Sequence, residues 1–258
     1  MITDFSNLEK GKKVYFASDF HLGAPNDITS RLREDKIIRW LDAIKKDAAG
    51  IFLVGDIFDF WFEYKYSVPK GFIRFLGKIA ELSDSGISII FYTGNHDMWM
   101  SDYFPNELNV TLLREPQDHL IGGKKFHIGH GDGLGPGDRT YKLLKRIFAN
   151  RLCQWLFHWL HPNLGMGLAR TWSRHSRAHN LESHEPFNPD EEWILAYCEA
   201  QEKTDHRDYY IFGHRHLAID HHLNNGSRYV NLGEWVTESN YAVYDGNDLT
   251  LKSFEDVK

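Results

Sequence analysis

The sequence predicts an α/β fold in which a mostly parallel sheet is followed by a second, mixed or antiparallel sheet. In the first third of the chain, short apolar segments rich in β-branched and aromatic residues alternate with amphipathic helices. In the last fifth, short strand-like segments follow one another without long helices between them. Polar motifs follow several of the apolar segments, so their side chains should emerge at strand ends.

The first half has a β-α-β-α-β order. Val14–Ser18, Ile51–Val54 and Ile87–Tyr92 read as strands, and the segments between them carry apolar residues at helical spacing over 31–48 and 69–84. Parallel strands joined by helices make right-handed crossovers, and ligands bind beyond the carboxyl ends of such strands. We therefore expect the polar residues that follow these strands to share one edge of the sheet.

The second half favours strands without crossover helices. The predicted strands are Thr111–Leu113, His119–Ile121, Lys125–Ile128, Tyr209–Phe212, Arg228–Asn231, Tyr241–Tyr244 and Leu249–Phe254. Between them, about 134–200 reads as helical. Since no internal repeat or low-complexity linker separates the parts, we predict one domain, 1–258, with a helical insertion.

Composition narrows the class of protein. The chain has 258 residues, 42% of them apolar, and a formal charge of −6, which disfavours a general nucleic-acid binder. Two cysteines are too few for a disulfide framework, and no secretory signal or apolar run of membrane-spanning length is visible. These features predict a cytoplasmic protein that does not bind nucleic acid.

Five motifs concentrate oxygen and nitrogen donors. They are Asp19-Phe20-His21, Gly55-Asp56-Ile57-Phe58-Asp59, Gly94-Asn95-His96-Asp97, Gly129-His130-Gly131-Asp132 and Gly213-His214-Arg215-His216. Taken singly, Asp-x-His is compatible with a helix cap and Gly-Asp-x-x-Asp with a turn. Together and in this order they predict a two-metal hydrolase, because a pair of divalent ions about 3.5–4 Å apart needs this many ligands.

The donor types indicate which ions would bind. Carboxylate, imidazole and amide oxygen suit Mn²⁺ most, with Fe²⁺ and Zn²⁺ as alternatives. Asp19 and His21 lie two residues apart at a strand end, so they can share one ion, as can His214 and His216. Asp56 could bridge two ions with one carboxylate oxygen each.

These blocks resemble those of the calcineurin-like metallophosphoesterases over nearly the whole chain. The resemblance implies an αββα sandwich of two sheets, with one metal held by Asp19, His21 and His216 and the other by Asn95, His130 and His214. Asp56 would bridge the two ions. His96 would be the histidine that contacts the leaving group or the developing charge, and Asp97 its orienting partner.

A narrower resemblance is to the UDP-2,3-diacylglucosamine diphosphatases of lipid A biosynthesis. It is carried by Gly55–Trp61, by His130-Gly131-Asp132 with Asp138, Tyr141 and Lys145-Arg146, and by Leu232-Gly233-Glu234-Trp235 with Glu238. It implies cleavage of UDP-2,3-diacylglucosamine to UMP and 2,3-diacylglucosamine 1-phosphate, with Asp138 and Tyr141 among the substrate contacts. The chain departs at His96, where the best-known branch has Arg.

The insertion is basic and apolar at once. From Asp138 to Arg177 there are eight Lys or Arg and one acidic residue, interleaved with Leu, Ile, Phe and Trp at helical spacing. One interpretation is a lid helix packed on the core; the other is an acyl-chain groove with a phosphate-binding rim. In the second, Arg174 and Arg177 on one helical face, with Arg170, would grip phosphate, or else form structural salt bridges. Such a helix also suits peripheral contact with the inner face of a membrane.

Two other functions stay open. The chain could be another metallophosphoesterase that acts on a cyclic nucleotide, a nucleic acid or a phosphoprotein. It could also be a metal-binding scaffold without activity, although every predicted ligand and His96 are present.

Overall fold

The computed structural model describes residues 5–136, 139–168, 171 and 186–255, with the backbone alone at 139–141. In this part of the chain, eleven strands form two sheets. The first contains β1 (Lys13–Ala17), β2 (Ala48–Val54), β3 (Ser88–Tyr92), β4 (Thr111–Leu113), β10 (Asn240–Tyr244) and β11 (Leu249–Ser253). Their order across the sheet is β11-β10-β1-β2-β3-β4.

Strands β1 to β4 of this sheet are parallel, which the β-α-β-α-β pattern predicted for β1, β2 and β3. Strands β10 and β11 extend the sheet antiparallel beyond β1. We grouped β4, β10 and β11 with the second sheet, and that grouping is wrong. The apolar pattern of a strand identifies the strand but not its partners, which are fixed by long-range pairing.

The second sheet is mixed, as expected. It contains β5 (Gln117–Ile121), β6 (Lys124–Ile128), β7 (Tyr209–Phe212), β8 (Ala218–His222) and β9 (Arg228–Leu232), in the order β5-β6-β7-β9-β8. The pairs β6–β7 and β7–β9 are parallel, and the outer pairs are antiparallel. The sequence missed β8, an edge strand in which Ile219 alone is buried, so that it lacks a clear apolar pattern.

The two sheets pack face to face around an aromatic core. The ring of Phe16 in β1 stacks on Phe52 at 5.2 Å and on Phe126 of the second sheet at 5.8 Å between centroids. Helices cover the outer faces: α1 (Asp27–Ile44), α2 (Ile73–Asp84) and α3 (Tyr103–Leu108) on the first sheet, and one further helix on the second. The predicted αββα sandwich is therefore confirmed.

Helices α1 and α2 run side by side in the same direction. The Glu34 carboxylate accepts the Phe75 N–H near their starts, and Lys45 pairs with Glu81 near their ends. Since each helix follows a parallel strand, both begin at the carboxyl edge of the sheet. Helix α2 begins at Ile73 rather than at Pro69, because Phe72 before it has left-handed backbone with φ of 56°.

The segment between β6 and β7 is helical wherever it is described. It contains α4 (Arg139–Phe148), α5 (Arg151–His158), a helical stretch at 162–168, and α6 (Trp193–Glu202), which is the helix on the second sheet. The Asn150 side chain caps α5 by accepting the Leu152 N–H at 2.8 Å.

Candidate dinuclear metal centre

All five motifs lie beyond the carboxyl ends of strands at one edge of the sandwich. They follow β1, β2 and β3 of the first sheet and β6 and β7 of the second. Backbone hydrogen bonds join the loops: the Asp19 N–H donates to Gly55 O at 3.0 Å, and the His21 N–H donates to Asp56 O at 2.9 Å. Two sheets therefore deliver the donors to one place, as the sequence predicted.

The backbone at these positions is strained. Among the described residues other than glycine, eight have positive φ, and five of those are predicted ligands: Asp19, His21, Asp56, His214 and His216. Left-handed backbone costs residues with a Cβ about 1 kcal/mol or more, and such strain gathers where function requires a particular side-chain direction. The loops are thus shaped to aim these five side chains.

The first predicted metal site is assembled. Asp19, His21, Asp56 and His216 offer ligand atoms within 4.8 Å of one another. His216 Nε2 lies 3.1 Å from Asp19 Oδ1 and 3.0 Å from His21 Nε2. Two imidazole nitrogens that approach each other this closely beside a carboxylate have the arrangement of ligands converging on one cation.

The second predicted site shares Asp56 with the first. Asp56, His130 and His214 also offer atoms within 4.8 Å of one another, and His130 Nε2 lies 3.3 Å from Asp56 Oδ2. The His130 Nδ1–H donates to Val54 O at 2.9 Å, which fixes the tautomer with Nε2 free to ligate.

Asp56 lies between the sites in a way that differs from our expectation. Its Oδ1 accepts the His96 N–H at 2.8 Å, whereas its Oδ2 lies 3.3 Å from His130 Nε2 and 4.0 Å from His21 Nε2. We expected one oxygen for each ion; here a single oxygen faces ligands of both sites, because the other is held by the backbone.

The donor atoms fit divalent cations. In the described part of the chain, Asn95 Oδ1 and His130 Nε2 are buried and have no hydrogen-bond partner. Buried polar atoms without partners are rare in native proteins and call for an ion, water or ligand. Oxygen and nitrogen donors without thiolate suit divalent ions such as Mn²⁺, so the residues present fit the metals that the sequence implied.

Electrostatics favour the charged carboxylates. Burial raises the pKa of Asp19, but the imidazoles of His21 and His216 outweigh burial and hold it well below its ordinary value. Burial also opposes ionisation of Asp56, and His130 and His96 reverse the effect, so that the pKa of Asp56 is strongly lowered. Both side chains are therefore anionic and ready to bind cations.

The histidines of the second site differ from each other. The carboxylate of Asp56 overcomes the effect of burial and raises the pKa of His130 to about 10. Burial, together with the neighbouring His130, lowers the pKa of His214 to about 4. Metal binding at this site would therefore displace a proton from His130, since an imidazole ligates in its neutral form.

The Asp97 carboxylate, the predicted orienting partner of His96, accepts hydrogen bonds from backbone N–H groups. Asp97 Oδ1 accepts the Gly94 N–H at 2.7 Å and its Oδ2 accepts the Ile57 N–H at 2.8 Å, so this carboxylate ties two loops together. Instead, the His96 Nδ1–H donates to the carbonyl of Asp59 at 3.0 Å, and the Asp59 carboxylate lies 3.9 Å away. The motif spacing did not reveal this because adjacent residues on a turn point in different directions.

Two further residues hold the backbone of the metal-ligand loops: Arg33, which the sequence analysis missed, and Trp235, which it named only as part of the Leu-Gly-x-Trp motif. Arg33 is buried in α1 and donates to His21 O at 2.7 Å. A charge in line with the apolar Ile37 and Leu41 was the signal that could have found it. The backbone N–H of Trp235 donates to Asp19 O at 3.1 Å, and the Trp235 ring packs on the Phe20 ring with 5.1 Å between centroids.

The predicted substrate contacts cannot be placed. Asp138, Arg170, Arg174 and Arg177 lie outside the described residues, as does the side chain of Tyr141 in α4. The nearby Lys145 is described: its Nζ pairs with Asp132 Oδ2 at 2.8 Å and so ties α4 to the loop that carries His130.

Comparison with known proteins agrees with this geometry. The family model of the calcineurin-like phosphoesterases matches residues 12–218. A UDP-2,3-diacylglucosamine hydrolase from Porphyromonas gingivalis is 39% identical over 259 residues, covering 95% of this chain and 99% of that protein. Proteins of the same name from Neisseria meningitidis (strain Z2491) and Shewanella baltica (strain OS223) are 29% and 24% identical, over 87% and 93% of this chain and 90% and 97% of theirs. The chain therefore belongs to the calcineurin-like phosphoesterase family.

Proposed function

We propose that this protein hydrolyses the diphosphate bond of UDP-2,3-diacylglucosamine to give UMP and 2,3-diacylglucosamine 1-phosphate. Three observations support the proposal: two groups of potential metal donors that share Asp56, the name of the relatives that match nearly the whole chain, and an apolar insertion beside these groups. The single observation that carries the lipid assignment is the exposed apolar surface of that insertion.

The metal centre would hold two divalent cations, most suitably Mn²⁺. Asp19, His21 and His216 would hold one, Asn95, His130 and His214 the other, and Asp56 both. When bound, the ions would activate water at neutral pH and stabilise negative charge on the phosphate. All of these ligands come from loops that are fixed by hydrogen bonds, so little rearrangement is needed on binding.

His96 would act on the leaving side of the diphosphate. Its ring is half-buried, and its Nδ1–H donates to Asp59 O at 3.0 Å, which fixes the orientation of the ring. Water would attack the α-phosphorus in line, and the bond from that phosphorus to the bridging oxygen would break. The electron pair of that bond would leave with the lipid phosphate, the proton of the attacking water would pass to solvent, and His96 would contact the departing phosphate. Its N–H to Asp56 links its position to the centre.

The insertion offers the surface that a diacyl lipid needs. Of the fourteen large hydrophobic side chains exposed in the described part of the chain, eight lie between Leu143 and Leu168. They are Leu143, Ile147, Leu152, Trp155, Leu156, Trp159, Leu164 and Leu168. Exposed apolar surface on this scale marks a binding site for a lipid, a membrane or a protein.

An aromatic contact holds this surface beside the metal centre. The ring of Phe157 packs on Phe62 at 4.6 Å and on Trp99 at 4.8 Å, and the Trp99 indole N–H donates to Phe148 O at 2.8 Å. Phe62 and Trp99 lie in the segments that follow Asp59 and His96. Acyl chains on the insertion would therefore continue from a head group at the centre.

The same surface supports peripheral contact with a membrane. Other exposed apolar side chains, Ile28, Leu32, Tyr66 and Ile73, lie on segments that leave the carboxyl ends of β1 and β2, the edge that carries the metal ligands. Among the described residues, no helix combines the length and the apolar character needed to cross a bilayer. We propose that the protein is cytoplasmic and meets the inner face of the inner membrane through the insertion.

The remaining substrate contacts are proposals from the sequence. Asp138 and Tyr141 would contact the sugar or its phosphate, and Arg170, Arg174 and Arg177 would grip phosphate oxygens. Lys145 of α4 lies in the same region, where its Nζ pairs with Asp132 Oδ2 of the loop that carries His130.

The test is an assay with detergent-solubilised UDP-2,3-diacylglucosamine and Mn²⁺. Release of UMP, abolished by a chelator and restored by Mn²⁺, is the expected result. Hydrolysis of bis(4-nitrophenyl) phosphate without release of UMP would leave a phosphodiesterase of another specificity. Absence of both would leave a metal-binding scaffold.

A further inference from the structure

A cavity adjoins the metal centre on the side of the second sheet. Its volume is about 370 Å³, and it lies between the loop that follows β6 and the start of α6. The lining residues that bear on its chemistry are Leu134, Asp190, Glu191, Glu192, Trp193 and His214. His214 is also a predicted ligand, so the cavity opens onto the centre itself.

Glu192 is a buried acidic residue in the wall of this cavity. The residue is buried, with 3% of its surface exposed, and its Oε2 accepts from Arg215 Nε at 2.9 Å. Its Oε1 is also buried and has no hydrogen-bond partner in the part of the chain that the structure describes. The ion pair with Arg215 fixes the Glu192 carboxylate in the wall of the cavity.

Arg215 links the cavity wall to the metal ligands. It lies between His214 and His216, and its guanidinium sits 4.7 Å from the centre of the Trp193 ring. The Trp193 carbonyl packs so closely on Gly135 that a Cβ there would clash with it. The Arg215 contacts on one side and the Gly135 contact on the other therefore fix Glu192 and Trp193 relative to the metal centre.

The cavity and the apolar insertion approach the centre from different sides. Helix α5 docks on Phe62 and Trp99, after β2 and β3 of the first sheet, whereas the cavity is bounded by segments that follow β6 and β7 of the second. A substrate with its diphosphate at the metals would place one end on the insertion and the other at the cavity.

We propose that this cavity binds the nucleoside end of the substrate, an inference that rests on the proposed cleavage of a lipid nucleotide. Ribose hydroxyls and the imide N–H of uracil are donors, and they match a wall whose charged groups are carboxylates. The volume lies at the small end of the range for ligand cavities, roughly 300–1,000 Å³, which suits a nucleoside and excludes two acyl chains.

The test narrows the cavity and measures binding without turnover. Ala196 lines the cavity on α6 and is half-buried, whereas Ala200, one helical turn later, is exposed and does not line it. We would titrate UMP and inorganic phosphate calorimetrically into the Mn²⁺-loaded wild type, Ala196→Phe and the control Ala200→Phe. Phosphate reports the metal centre alone, and Ala196→Leu serves as a second variant should the larger ring prevent folding.

The expected result is that Ala196→Phe weakens UMP binding roughly tenfold or more, the scale of losing a stacking contact or a hydrogen bond to a charged group. Phosphate binding should be unchanged, and Ala200→Phe should affect neither ligand. Equal UMP affinity in all three proteins, or UMP no tighter than phosphate in the wild type, overturns the assignment. If UMP binding follows the expected pattern but UDP-2,3-diacylglucosamine is not cleaved, the nucleoside site stands and the lipid substrate is rejected.

Discussion

The contact between the insertion and the aromatic residues beside the metal centre should control lipid turnover. Phe157→Ala removes the ring that packs on Phe62 at 4.6 Å and on Trp99 at 4.8 Å. These interactions tie α5 to the segments that follow the second and third motifs, so their loss should loosen the insertion without changing the metal ligands.

The size of the effect follows from the burial of the ring. Truncating a fully buried Phe costs about 3–5 kcal/mol, including the aromatic pairs it makes. Phe157 is half-buried, so we expect about 2 kcal/mol. Since about 1.4 kcal/mol is a factor of ten, opening of the insertion should become roughly thirtyfold more frequent.

Hydrogen exchange and kinetics test this together. Amides of α5 should exchange roughly thirtyfold faster in Phe157→Ala, while those of β1 and β2 are unchanged. Release of UMP from the lipid nucleotide should fall, and hydrolysis of bis(4-nitrophenyl) phosphate should not. The neighbouring change Leu156→Ala, at a side chain that is 54% exposed, is the matched control for hydrogen exchange, which it should leave unchanged. Unchanged exchange in Phe157→Ala, or equal losses with both substrates, would refute the reasoning.

Three further predictions concern the centre and the surface. Asp56→Asn removes the anionic ligand that both sites share, so it should reduce turnover at least about a hundredfold and lower the bound Mn²⁺ below two ions per chain. A metal analysis that finds two ions per chain in this variant would contradict the bridging role of Asp56. Gly94→Ala should destabilise the protein by roughly 1–3 kcal/mol in thermal denaturation, since its Cβ would clash with Asp56, whose N would lie 2.6 Å away. The control is Gly77→Ala in α2, where a Cβ meets nothing within 4 Å, and it should stabilise the protein slightly. Equal changes in stability for the two variants would argue against a tight turn at Gly94. Replacing Trp155 and Trp159 by Ser should lower binding to anionic vesicles roughly tenfold while small-diester hydrolysis persists; unchanged cosedimentation would reject this membrane contact.

The convergence of the candidate metal ligands could be predicted because each of them lies in a short motif that follows a strand. Asp19, Asp56 and Asn95 each follow a recognisable strand, and the carboxyl ends of parallel strands meet at one edge. The pairing of β6 with β7 then brings His130 beside His214, whose rings lie 5.1 Å apart. Strand identity was enough for the first three motifs, because the strands before them were expected to be parallel; the parallel pairing of β6 with β7 was left open by the sequence.

Other features depend on directions that a linear pattern does not encode. The sequence shows that Asp97 and Asp59 are both aspartates but not where each one points. In the structure the Asp97 carboxylate accepts from backbone N–H groups, whereas the backbone carbonyl of Asp59 accepts from His96 Nδ1. Likewise, the cavity near α6 forms from residues about 60 positions apart along the chain, roughly Gly133 to Trp193, and no spacing rule relates them.

The central claim is that one carboxylate unites two metal sites. The most direct measurement is an anomalous difference map at the manganese edge from crystals grown with Mn²⁺. We predict two peaks about 3.5–4 Å apart, one beside Asp19, His21 and His216 and the other beside Asn95, His130 and His214, with Asp56 between them. A single peak, or two peaks that do not share Asp56, would contradict the account.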